Sequence, residues 1–233
     1  MNNHHATRWL DDSGEWLDQT IRYNSVAGIS STAGQAPRAL GIAYASKLYR
    51  ERADLAEHAA LFSKGGQEVC FTTIGDASTS EGMYLECINA AGVLQVPIVF
   101  SVWDDGYGIS VPIEYQTTKS SISKALAGYQ RTETEKGLEI IQVKAWDYPG
   151  LIAAYQKAAK LAREEMVPCL VHVIECTQPQ GHSASGSHER YKSADRLQFE
   201  QEADCNLHFH AWILSKGFAS EEELKAIDDE STI

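Results

Sequence analysis

Two short apolar runs with a helix-length segment between them leave this chain few ways to fold. The first run, Val69 to Ile74, ends at Gly75-Asp76, and the second, Ile98 to Trp103, ends at Asp104-Asp105. Ser80 to Leu94, between them, has the length of a helix and places Met83, Cys87, Ala90, Ala91 and Leu94 on one face at helical spacing. Strand, helix, strand in that order is a βαβ unit, with parallel strands and a right-handed crossover. The expected fold class is therefore α/β: a doubly wound parallel sheet with helices on both faces.

Such sheets bind ligands outside the carboxyl ends of their strands. Asp76 and Asp104-Asp105 both sit just past a strand end, so the fold predicts that Asp76 and Asp105 share one crevice. Carboxylate oxygens suit Mg²⁺ or Ca²⁺, and Mg²⁺ commonly shares its shell with phosphates. The turn Ala77-Ser78-Thr79-Ser80 leads into the helix, and Ser78 to Glu81 fits a capping box. A helix start offers free N–H groups and positive dipole to an anion. Ordinary turn chemistry fits the same residues, since Asp caps turns and Asp-Gly closes them. Both readings stand on the pattern alone.

The rest of the chain fits an α/β reading. Residues 1–35 are an irregular lead-in. Gln35 to Arg52 reads as a helix with Pro37 in its first turn and a stripe of Leu40, Ala43, Tyr44 and Leu48. Asp54 to Phe62 continues as helix until Lys64-Gly65-Gly66. Asn89 reads as a satisfied core amide, and Val111 to Ser123 as a Ser/Thr-rich loop bordering the site. Leu138 to Val143 and Pro168 to Cys176 are strands, Tyr148 to Glu165 is an Ala-rich helix, and Thr177 to Arg190 is a loop. Residues 195–233 are helical: one helix over Asp195 to Ser215 with Gly217 as C-cap, then a capping box at Ser220 to Glu223.

Charge narrows the function classes. A net charge of −12 argues against nucleic acid and against anionic membranes as partners. No apolar run is long enough to span a bilayer, and no signal-peptide pattern opens the chain. The five cysteines, Cys70, Cys87, Cys169, Cys176 and Cys205, form no C-x-x-C pair. An odd number without pairing fits a reducing cytoplasm, the expected location.

Several stretches resemble one family. They are Ile29-Ser30-Ser31 with Gln35 to Ala45, Gly75 to Gly82, Gly106 to Ser110, Pro168-Cys169-Leu170 and Gly181-His182-Ser183-Ala184-Ser185. Gly75-Asp76 with Asp104-Asp105 resembles the thiamine diphosphate motif, which runs Gly-Asp-Gly to Asn-Asn. Together they resemble the alpha subunit, or alpha half, of the thiamine diphosphate-dependent decarboxylating component of 2-oxo acid dehydrogenase complexes, the branched-chain type most closely. The resemblance covers nearly the whole chain as one cofactor-binding domain, residues 1–233.

The resemblance implies oxidative decarboxylation of a 2-oxo acid, with transfer of the acyl group to lipoamide. It places Asp76, Asp105 and the Tyr107 carbonyl on Mg²⁺. It places Gly75, Asp76, Ala77, Ser78, Asp105, Tyr107, Gly108, Ile109 and His182 around thiamine diphosphate, with His182 in the active-site loop as the catalytic position. Asp147 matches a residue that caps the following helix, and Ser183 matches a phosphorylated position. The implied partners are a beta subunit or fused beta half carrying the pyrimidine-binding domain, and the lipoyl domain of the acyltransferase component; an oligomer is implied too. His4-His5 matches a stretch well inside the family's subunit, so the chain is expected to be a fragment or a naturally short form.

Three positions depart from the pattern. Ala77 replaces a Gly, where positive φ would be costly; Asp104-Asp105 replaces Asn-Asn; Trp103 stands where relatives carry Arg. Gln178 to Arg190 is expected to order only with diphosphate and the beta half. The alternatives are a non-catalytic assembly fragment or degenerate homologue, and another phosphate-binding α/β enzyme. A pyrimidine-domain sequence fused or encoded nearby would favour the dehydrogenase.

Overall fold

The computed structural model describes residues 6–26, 31–179, 181–182 and 187–231. In chain order the helices are α1 (Gln35–Glu51), α2 (Ala56–Ala59), α3 (Gly82–Leu94), α4 (Ile122–Ala125), α5 (Tyr148–Glu165), α6 (Ala194–Glu202), α7 (Cys205–Lys216) and α8 (Glu221–Ser231). The strands are β1 (Cys70–Gly75), β2 (Ile98–Trp103), β3 (Tyr107–Gly108), β4 (Val111–Pro112), β5 (Glu139–Lys144) and β6 (Cys169–Ile174).

β1, β2, β6 and β5 form, in that order, a parallel four-stranded sheet, and β3 and β4 a small antiparallel hairpin. Helices lie on both faces, as the α/β reading requires. Ile98, Phe100 and Val102 of β2 join a core with α1 and α3, while Val99 joins a second core under α5. Burial on both faces explains why β2 and β6 read as largely apolar runs, with Ser101 and His172 as their polar members. The step from β1 to β2 and the step from β5 to β6 run in opposite directions across the sheet. The strand order therefore reverses between β2 and β6, the place where a doubly wound sheet opens a crevice.

The α5 face is covered unevenly. α5 packs on residues of β2, β5 and β6, but Phe71 of β1 stays 52% exposed and Trp103 at the end of β2 57%. β1 is an edge strand of the sheet.

Several local expectations need correcting. Ala77–Ser80 is a 3-10 turn, and α3 starts at Gly82 with Glu81 as N-cap and no side-chain cap, so Ser78 to Glu81 is not a capping box. The buried face of α3 is Tyr84, Cys87, Ile88 and Ala91, whereas Met83 and Asn89 are exposed. Tyr84 wins over Met83 because its ring packs edge-on against Phe100 at 5.9 Å. In α1 the buried residues are Ala36, Ala39, Ala43 and Ser46 rather than the larger Tyr44, because small side chains let the helix lie close to the sheet. The segment after Arg52 forms only a 3-10 turn and the four-residue α2. The loop at 111–123 contains β4, two 3-10 turns and the start of α4. The helix expected over 195–215 breaks at Ala203-Asp204, where the Asp204 carboxylate caps α7 by accepting from Asn206 N at 2.8 Å.

Three caps stand as read. The Ser220–Glu223 box closes in both directions, Gly217 is left-handed at φ 65°, and Asp147 accepts the Gly150 N–H at 3.0 Å to start α5. Asp147→Ala is expected to cost about 1 kcal/mol. The check is a urea melt, which should show a lower midpoint at unchanged slope.

Candidate functional site

Asp76 and Asp104 continue neighbouring strands past their ends. Asp76 N donates to Trp103 O at 3.2 Å, and Asp104 N donates to Val173 O at 2.8 Å. Three carboxylates thus gather where β1, β2 and β6 finish. The hairpin after β2 locks against the 77–80 turn. A Cβ at Gly108 would lie 2.8 Å from Ala77 Cβ and 2.5 Å from Gln116 Oε1, so only glycine fits there. Ser80 Oγ reinforces the contact by donating to Gln116 O at 2.8 Å. These contacts bring Gly75 to Ser78 and Asp105 to Ile109 together, though they are distant in sequence. Ala77 needs no left-handed backbone here: it lies in the 3-10 turn, so replacing Gly costs nothing. Ile109, by contrast, takes φ 59°, a strained value for a β-branched residue, and is 62% exposed.

The three carboxylates are not equivalent. Asp104 has both oxygens engaged: Oδ1 accepts from Gly106 N at 2.9 Å, and Oδ2 meets His172 Nε2 at 2.7 Å. Asp105 accepts the Tyr107 N–H on Oδ1 at 3.1 Å. Asp76 is 2% exposed, and its Oδ2 has no hydrogen-bond partner among the described residues. Burial, with Asp104 and Asp105 nearby, pushes its pKa up to about 7. Burial also raises Asp105. The Tyr107 N–H and the Lys192 and Arg196 cations pull it part of the way back, while Asp104 adds to the rise.

His172 is the residue that strand patterning passed over. It is the lone polar side chain in β6, fully buried, with Nδ1 3.0 Å from Ser123 Oγ of α4. It joins α4, β6 and the end of β2. A single histidine inside an otherwise apolar, fully buried strand was the available signal, because such a group must find partners.

The cations near the acids come from α6 and the residues just before it. Lys192 Nζ binds both Glu200 oxygens, at 2.7 and 2.8 Å, and both side chains are 1% exposed. Arg196 donates from Nε to Glu200 at 2.8 Å and from Nη2 to the Asp105 carbonyl at 2.5 Å. Both cations lie over the Tyr107 ring, at 5.2 and 5.4 Å from its centroid. Trp103 points elsewhere: its indole N–H donates to Ser101 Oγ, which bonds Tyr155 of α5.

A cavity of about 370 Å³ opens at the switch between β2 and β6, lined by Asp104, Asp105, Gly106, His172, Lys124 and Arg196 among others. His182 is exposed and residues 187–190 of its loop form a 3-10 turn, while residues 180 and 183–186 lie outside the described residues, and the expectations for Ser183 and for the ordering of that stretch fall there. Among the described residues, no three His, Cys, Asp or Glu side chains form a metal-binding group, and no helix is long and apolar enough to cross a membrane. The unpartnered Asp76 oxygen and the neighbouring Asp105 carboxylate are hard oxygen donors, a chemistry that suits a divalent cation sharing its shell with phosphate.

Sequence comparison finds relatives among dehydrogenase alpha subunits. A 2-oxoisovalerate dehydrogenase subunit alpha from Bacillus subtilis is 27% identical over 214 residues, 89% of this chain and 58% of its own length. A pyruvate dehydrogenase E1 component subunit alpha from Rickettsia bellii is 24% identical over 194 residues, 83% of this chain and 52% of its own. A mitochondrial 2-oxoisovalerate dehydrogenase subunit alpha 1 from Arabidopsis thaliana is 28% identical over 204 residues, 87% of this chain and 38% of its own. The chain thus spans about half the length of the first two. The family model described as "Dehydrogenase E1 component" matches residues 12–232, nearly the whole sequence, and the chain belongs to that family.

Proposed function

We propose that this chain is the metal- and diphosphate-binding half of a 2-oxo acid dehydrogenase decarboxylating component, acting on a branched-chain 2-oxo acid or pyruvate. The observation that carries this reading is Asp76: a buried carboxylate oxygen without a partner, beside Asp105, at the crevice of the sheet. Such an oxygen suits a cation.

Asp76, Asp105 and the Tyr107 carbonyl hold Mg²⁺ in this reading. The backbone around Gly75, Ala77, Ser78, Gly108 and Ile109, with His182, holds the diphosphate of thiamine diphosphate. When bound, the thiazolium supplies the carbanion chemistry that releases CO₂ from the 2-oxo acid. The chain's own residues bind and orient. Asp104, tied to His172, sets the direction of the loop that carries Asp105 and Tyr107. A beta subunit supplies the pyrimidine-binding side, and a lipoyl domain receives the acyl group. Burial pushes the Cys169 and Cys176 thiols up to about 12, which keeps them out of the chemistry.

The test is calorimetric titration with thiamine diphosphate, with and without Mg²⁺ and with and without a beta partner. Binding is expected to require Mg²⁺, and the chain alone is expected to show no turnover of any 2-oxo acid. Metal-independent binding, or no binding with the partner present, would refute the reading.

A further inference from the structure

We propose that Arg196 of α6 is the cation that receives the diphosphate, through its Nη1 group; this inference rests on the reading above. The site has an excess of negative charge. Asp76, Asp104 and Asp105 meet past the ends of β1 and β2, and a diphosphate adds more. One divalent ion offsets only part of that, so a fixed cation is needed beside it. Trp103 does not provide one. Among the residues lining the cavity between β2 and β6, Lys124 and Arg196 carry positive charge. Lys124 is exposed, whereas Arg196 is held in place.

The hydrogen bonds of Arg196 show which edge is free. Nε is committed to Glu200 and Nη2 to the Asp105 and Cys176 carbonyls, at 2.5 and 3.5 Å. The guanidinium also lies over the Tyr107 and Phe199 rings, at 5.4 and 5.3 Å. Nη1 makes no hydrogen bond among the described residues and lies on the Gly106 side, 3.9 Å from where a Cβ at Gly106 would sit. Two of the three acids lining the cavity are already engaged, and the third, Asp105, is the one whose carboxylate the reading above gives to the metal. Both Asp104 oxygens are engaged, and Glu175 is held by Trp146 Nε1 at 2.8 Å and by Lys144 at 3.1 Å. What remains is a pre-oriented guanidinium donor beside Asp105. Arginine suits a phosphate oxygen better than lysine because its planar group is oriented before the anion arrives.

The experiment compares Arg196→Met and Arg196→Lys with wild type, in the full chain with its beta partner. The probes are Mn²⁺ alone, inorganic pyrophosphate with Mg²⁺, and thiamine diphosphate with Mg²⁺. In Arg196→Met, pyrophosphate affinity is expected to fall roughly ten- to a hundredfold, the loss of a charge-assisted hydrogen bond. Mn²⁺ alone should bind as well or more tightly, because a repelling charge near Asp105 has gone. Arg196→Lys should recover part of the pyrophosphate affinity. Those opposite signs separate a diphosphate ligand from a clasp that merely holds Asp105. If Mn²⁺ and pyrophosphate affinities fall together, Arg196 is only a clasp and the inference fails. Pyrophosphate affinity within twofold of wild type also overturns it. A wild type that binds neither diphosphate overturns the inference and the functional reading together.

Discussion

Asp76→Asn should stabilise the ligand-free chain at neutral pH while abolishing Mg²⁺-dependent cofactor binding. The physical cause is the same for both effects. In the unfolded chain Asp76 ionises near 3.8; in the folded chain burial and the neighbouring acids hold the proton until about pH 7. Below pH 4 both states carry the proton and the group is silent. Between pH 4 and 7 the unfolded state loses the proton and the folded state keeps it, so stability falls as pH rises. Above 7 the folded state carries the whole penalty, at most about 4 kcal/mol. Asn carries no charge and removes that slope. Its amide still lacks a partner, so the net gain at pH 8 should be nearer 1–3 kcal/mol. Thermal melts from pH 4 to 8 should show wild type losing stability across that range and Asp76→Asn losing much less. Saturating Mg²⁺ with diphosphate should stabilise wild type at pH 8 and leave the variant unchanged. Parallel melting profiles for the two chains would mean that Asp76 is not the strained group.

The second large effect lies in α6. Glu200 and Lys192 are a buried pair with Arg196 on the same carboxylate. Glu200→Leu leaves Lys192 almost fully buried with no carboxylate hydrogen-bonded to it, which should cost about 3–5 kcal/mol. Lys192→Met should cost less, because Arg196 still neutralises Glu200. The double variant Lys192→Met/Glu200→Leu removes both charges and should recover much of the loss. Urea melts of the four chains close the cycle. Additive losses in the double variant would show that the two charges are not coupled.

Much of the architecture was legible because parallel strands buried on both faces leave plain signals. The runs ending at Asp76 and Asp104 marked adjacent strand ends, and the acids duly meet there. Local starts were harder. Ser78 to Glu81 spelled a capping box, yet the hairpin docking Gly108 on Ala77 draws residues 77–80 into a tighter turn. That is tertiary packing overriding a local pattern. Asp104 and Asp105 looked alike in sequence and proved different, because one faces His172 and the other faces the Tyr107 amide. The bond from Arg196 to the Asp105 carbonyl was invisible for a further reason: no short-range pattern links α6 to the loop after β2, 91 residues away.

The uneven cover on the α5 face has its own consequence. A strand at the border of a sheet presents a row of unpaired amide and carbonyl groups, and a flat apolar flank makes such a row a template for further strands. β1 combines that border with an exposed Phe71, blunted at one point by the bond from Gln35 Nε2 to Thr73 O at 3.0 Å. No charged residue or proline interrupts Cys70 to Gly75 to guard against edge-to-edge growth. Concentrated and alone, this chain carries its aggregation hazard on the strand that delivers Asp76, so edge-to-edge growth would close over the corner where the three acids gather.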